Sequence, residues 1–88
     1  MTQINFNDFF SLLEMMDGEK AHLMMNVTTY KKILSAMFGI KDFNSITNVA
    51  PILNGVDISF EKTIADDIVT IKARRRPYTR ETIDIKLV

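Results

Sequence analysis

Residues 28–39, TTYKKILSAMFG, constrain the fold more than any other stretch of this chain. Tyr30, Ile33, Leu34, Met37 and Phe38 recur at steps of three and four, which sets them along one stripe of a helix. Thr28 or Thr29 can accept from the first free backbone N–H groups, and Gly39 can take the left-handed conformation that ends a helix. The spacing predicts a helix from Thr28 to Gly39 whose apolar stripe must be covered by the rest of the sequence.

That covering surface is scarce. The chain has 88 residues, read as a single domain over 1–88. A domain of this size hides roughly 60–65% of the surface its unfolded form exposes. It has no cysteine, so neither a disulfide nor a thiolate metal site can reinforce the core. Hydrophobic residues make up 47% of the sequence, which predicts apolar surface left over for a partner or for a second copy.

A first helix is expected over Asn5–Met16, NFNDFFSLLEMM. Phe6, Phe9, Phe10, Leu13 and Met16 form one face, and Leu12 and Met15 widen it. Asn5 or Asn7 can cap its start, Asp8 suits the positive end of the dipole, and Asp17-Gly18 closes it. The arc is broader than one small core needs. It is read either as all core or as two faces, one inward and one for a partner. Phe9, Leu12 and Met16 are the candidate protein-binding residues. The doublets Met15-Met16 and Met24-Met25 cannot both point inward in regular structure, so some thioether should lie near a surface.

In Glu19–Val27, Ala21, Leu23, Met25 and Val27 alternate with His22, Met24 and Asn26, which predicts a short strand feeding the helix, with a helical continuation as the alternative because Met and Ala are weak strand formers. Residues 40–50 form a connection, with a helical turn at Asp42–Ile46 and with Phe43 and Ile46 pinning it. The period then changes to two. Leu53-Asn54-Gly55-Val56 is a hairpin signal, because Asn-Gly tolerates the positive φ of a tight turn. Pro51 places the strand before it at a sheet edge. Further strands are expected at VDISFE, at Ile68–Arg74 and at Thr82–Val88, with Ile83, Ile85 and Leu87 facing inward. The predicted class is α+β: two layers, two helices on a small, mainly antiparallel sheet whose final three strands form a β-meander.

For chemistry, the densest feature is residues 72–80, where Lys72, Arg74, Arg75, Arg76 and Arg80 surround Tyr78. Arginines at such a turn can fork onto phosphates while Tyr78 stacks on a base, or they can grip a carboxylate-rich protein surface as a charged rim. The plainer alternative is a solvated turn whose charge balances Asp57, Glu61, Asp66 and Asp67. Eleven basic and eleven acidic residues leave the chain formally neutral, so nucleic acid could be met only through this local patch. Asp66-Asp67 lacks a third ligand at metal-binding spacing and is read as a turn. His22 has no positioned partner in the sequence and is read as exposed. The serines lie in no nucleophile elbow, and Gly18, Gly39 and Gly55 are isolated. The expectation is therefore a non-enzyme with no catalytic residue, no metal and no cofactor. No apolar run reaches a membrane span, and MTQINFND has no secretory pattern, so a cytoplasmic protein is expected.

The stretch HLMMNVTTYKKILSA resembles the strand–Asn–Thr–helix segment of major capsid proteins of tailed bacteriophages, and GVDISF with DDIVTIKARR echoes the strands that follow there. The resemblance covers about residues 21–75. It implies a self-assembling shell role, in a virion or in the host cytoplasm. This sequence is far shorter than such a subunit and has no counterpart of its long arm and loop, so no functional residue is carried over. The function expected is a protein-binding or self-associating module, possible in a phage or mobile element. A nucleic-acid-binding module using residues 72–80 and a virion structural component are the alternatives.

Overall fold

The computed structural model describes residues 1–16, 21–47, 52–53, 55–75 and 79–88. Within them the order is β1 (Thr2–Ile4), α1 (Phe6–Met16), β2 (Ala21–Met25), α2 (Val27–Phe38), a 3-10 turn at Phe43–Ser45, β3 (Ile52–Leu53), β4 (Val56–Phe60), β5 (Ile68–Arg75) and β6 (Thr79–Leu87). The class is α+β, with a mixed sheet in the order β1-β6-β5-β2-β4-β3.

The central helix forms as its stripe predicts, but its start is corrected. Asn26, not Thr28 or Thr29, is the N-cap; its side chain accepts from the Thr29 N–H at 2.7 Å. Thr29 is instead fully buried, and its hydroxyl accepts the Asp67 N–H at 2.9 Å. Gly39 ends the helix at φ 68°, a left-handed value that costs a side chain about 1–2 kcal/mol. In α1, Asn5 caps by accepting the Asp8 N–H at 2.8 Å. The closing Asp17-Gly18 lies outside the described residues.

Strand order departs from the expected meander. β5 and β6 form an antiparallel hairpin, but β2 lies between β4 and β5. β2 runs antiparallel to β5 and parallel to β4, and β1 runs parallel to β6. Among the described strands three of the five pairings are antiparallel, so the sheet is mainly antiparallel as expected, but it is mixed because two helices each carry the chain back to start a parallel strand. The β3–β4 hairpin pairs Leu53 with Val56 around Gly55, whose φ is 78°, and β3 is an edge strand. Pro51 and Asn54 are outside the described residues.

Burial alternates along the strands. Leu23 and Met25, Val56 and Ile58, Val69 and Ile71, and Ile85 and Leu87 are buried, and they join Phe9 and Leu13 of α1 with Tyr30 and Ile33 of α2 in one core. Tyr30 meets the Phe60 ring edge-on at 5.2 Å between centroids. Burial pushes the Tyr30 hydroxyl above its ordinary pKa. The unfolded chain therefore ionises this tyrosine first. The neutral, buried ring contributes stability that is fully present below about pH 10 and is lost as the pH climbs through the folded-state value. Urea midpoints measured across alkaline pH should fall, and Tyr30→Phe should flatten that fall.

Candidate protein-binding surface

The two ends of the sheet differ. β5 starts at Ile68, runs past β2 from Thr70 to Ala73, and continues beyond it to Arg75. Arg74 and Arg75 pair only with Arg80 and Thr79 of β6, so among the described residues the hairpin leaves the sheet as a two-stranded ribbon. Arg74 and Arg80 are register partners in this hairpin, and the side chains of residues 73–81 lie outside what the structure describes. Lys72 is exposed at the ribbon's base. Arg76 and Tyr78 lie outside the described residues, as does the expected turn between the strands.

The helices bring apolar groups to this ribbon end. α1 leaves β1 beside Leu87 and delivers the chain to β2 at Ala21, opposite Ala73. Its last turn therefore faces the ribbon end, and Met15 there is 74% exposed. α2 starts at the far end, after Met25, and leads back toward the start of β4, so Phe38 and Ile40 also belong to the ribbon end. They are 67% and 37% exposed. Ile83 lies opposite Ile71 in β6, on the face of the sheet that carries the core. Ile71 is 6% exposed and Ile83 is 44% exposed. Ile83 thus lies on the inward face, as its alternation predicts, and is nevertheless exposed.

The helix residues expected to make contacts are redistributed. Phe9 is 0% exposed and belongs to the core cluster. A ring sealed on all sides presents no surface, so Phe9 is removed from the contact set. Leu12 is half-buried against the core. The side chain of Met16 is outside the described residues, while Met15 carries the exposure. The sequence signal for Met15 was the methionine doublet, which requires one thioether to face out.

The opposite end is polar and tied down. The Asn26 amide donates to the Ile64 carbonyl at 2.9 Å and to the Asp66 carboxylate at 2.7 Å. Asp67, at φ 66°, holds Lys32 by an ion pair of 3.1 Å. Asp66 and Asp67 thus act on helix α2 from the turn between β4 and β5. On the sheet face away from the core, His22 is half-buried rather than exposed, and its Nε2 shares a hydrogen bond of 2.6 Å with Ser59 Oγ. Asp57 is the cross-strand neighbour of His22 in β4. Acyl transfer would need this hydroxyl–imidazole pair to face a substrate pocket with oxyanion donors. Among the described residues, no group of three His, Cys, Asp or Glu side chains converges as metal ligands, and no helix is long and apolar enough to cross a membrane. Compared with known proteins, the chain matches no family model, no curated protein and no solved structure.

Proposed function

We propose that this chain is a small non-enzymatic module that works by binding protein, with the ribbon end as its contact surface. In this reading the two helices form one layer over the inner face of the sheet, and they stop short of the ribbon. Met15, Phe38, Ile40 and Ile83 supply the apolar centre, and Lys72, Arg74, Arg75 and Arg80 supply a cationic rim suited to carboxylates. The observation that carries the reading is Ile83, an apolar side chain on the core face that keeps 44% of its surface in water.

The double variant Met15→Lys/Ile83→Lys should keep the wild-type circular dichroism spectrum and lose capture of the native partner. Unchanged capture by a folded variant would sink the reading. The alternative of nucleic-acid binding rests on the same ribbon without the apolar groups. It predicts binding of DNA or RNA at low salt that falls steeply with added salt and with Arg74→Ala/Arg75→Ala, and is indifferent to Met15→Lys/Ile83→Lys. A shell-forming role would appear as concentration-dependent growth into large particles.

A further inference from the structure

The face of the sheet away from the core carries a nucleophile and a base that protein binding at the ribbon end does not use. Leu23, Ile58 and Ile71 are core residues, so their strand neighbours His22, Ser59 and Lys72 lie on the other face. β2 and β4 run parallel there, with His22 beside Asp57 and Met24 beside Ser59. The imidazole reaches one step along the neighbouring strand, and its Nε2 lies 2.6 Å from Ser59 Oγ. Both side chains are half-buried, and they stand 37 positions apart in the chain, so only the fold brings them together. Asp57 in β4 and Lys72 in β5 are exposed at the register positions on either side of His22.

A serine hydroxyl is a weak nucleophile unless an adjacent base takes its proton. Ser11 and Ser45 show the ordinary case. Both are exposed, and their hydroxyls donate to the backbone carbonyls of Asn7 and Asp42, which are not bases. Among the described residues, Ser59 is the serine whose oxygen meets an imidazole. With the ring proton on Nδ1, Nε2 accepts from that hydroxyl. We propose that Ser59 is an acylation site with His22 as its general base, taking one acyl group per chain from an acyl phosphate. Ser59 Oγ attacks the carbonyl carbon and forms the new C–O bond. The bond from that carbon to the phosphate oxygen breaks, and inorganic phosphate leaves. The hydroxyl proton passes to Nε2 and from there to solvent. Asp57 sets negative charge on one side of the imidazolium so formed, and Lys72, on the other side, offers a cation to the departing phosphate. Repeated turnover would need oxyanion donors around the carbonyl. A single transfer from a donor that already carries a good leaving group does not. The proposal goes beyond the protein-binding reading and is independent of it.

The full chain incubated with acetyl phosphate at neutral pH tests it. Acetyl groups are mapped by mass spectrometry, and hydroxylamine separates serine esters, which it cleaves, from lysine amides, which it leaves. Ser59 should acetylate about a hundredfold faster than Ser11 or Ser45, although those two are the more exposed. His22→Gln can still hydrogen-bond Ser59 but cannot take its proton, so it should lose that lead while keeping the wild-type circular dichroism spectrum. Unfolding in urea should bring the three serines to similar rates. Lys72→Gln should slow the reaction severalfold with acetyl phosphate and leave it unchanged with uncharged p-nitrophenyl acetate. A Ser59 ester that forms no faster than those at Ser11 and Ser45 overturns the proposal. So does one that forms equally fast in His22→Gln or in the unfolded chain. An undiminished acetyl phosphate rate in Lys72→Gln overturns the choice of an acyl phosphate as the donor.

Discussion

Replacing Phe9 with alanine should lower the unfolding free energy by about 3–5 kcal/mol, read as a shift of the urea midpoint at constant slope. The ring is 0% exposed and belongs to the cluster that joins α1 to α2 and the sheet. Removing it forfeits both its transfer from water and its contacts, and the walls of so thin a core cannot all close on the gap. Domains of this size hold about 5–15 kcal/mol in total, so the variant should lose much of its folded population at 37 °C. Phe9→Leu, which refills most of the volume, should recover more than half of the loss. If Phe9→Ala left the midpoint unchanged and weakened partner capture instead, the assignment of this ring to the core would be wrong.

Asn26→Ala should cost about 2–3 kcal/mol, a large effect for a half-buried polar side chain. Three hydrogen bonds converge on this amide: its oxygen accepts the Thr29 N–H, and its nitrogen donates to the Ile64 carbonyl and to the Asp66 carboxylate. A lost N-cap costs about 1 kcal/mol, and carbonyl and carboxylate groups left short of a donor add to it. Asn26→Asp separates the two roles. It keeps the cap acceptor and places negative charge at the helix N-terminus, where it is favoured. It also loses the donor and sets one carboxylate against another at Asp66. The aspartate variant should therefore fall between wild type and alanine at neutral pH. Equal midpoints for Asn26→Ala and wild type would show that the clip contributes nothing.

These two residues also mark how far the sequence could be read. The α2 stripe and its glycine stop were legible because both are local, set within a few residues of one another. The cap was displaced to Thr28 or Thr29 because Asn26, Thr28 and Thr29 all satisfy cap chemistry, and only the incoming turn at Ile64–Asp67 decides among them. Phe9 was misplaced for a related reason. The apolar arc of α1 spans Phe6 to Met16, and periodicity cannot say which edge of a broad arc meets the sheet. The hairpins were legible from Asn-Gly and from alternation along Ile68–Arg74 and Thr82–Val88. The position of β2 between β4 and β5 was not, because pairing partners are chosen by long-range burial. β1 was missed entirely: Thr2–Ile4 is too short to carry a pattern, and it becomes a strand only beside β6. At the candidate surface, the cationic cluster and the surplus methionine were visible in advance. That the last turn of α1 runs toward the end of the sheet where β5 extends beyond β2 follows from helix directions that only the topology supplies.

The pairing of Thr2 with Ile85 joins positions 83 apart in the chain. Little can be gained from that contact until most of the molecule has already condensed, because the backbone freedom it removes is the largest of any pairing here. The neighbouring unit β2–α2–β4 closes over a far shorter span and is the natural nucleus, with β1 docking as a late event. Hydrogen exchange should then find the amides of residues 2–4 among the first to open and those of Leu23 and Met25 among the last. The strand that caps one side of the sheet is thus also its least committed member.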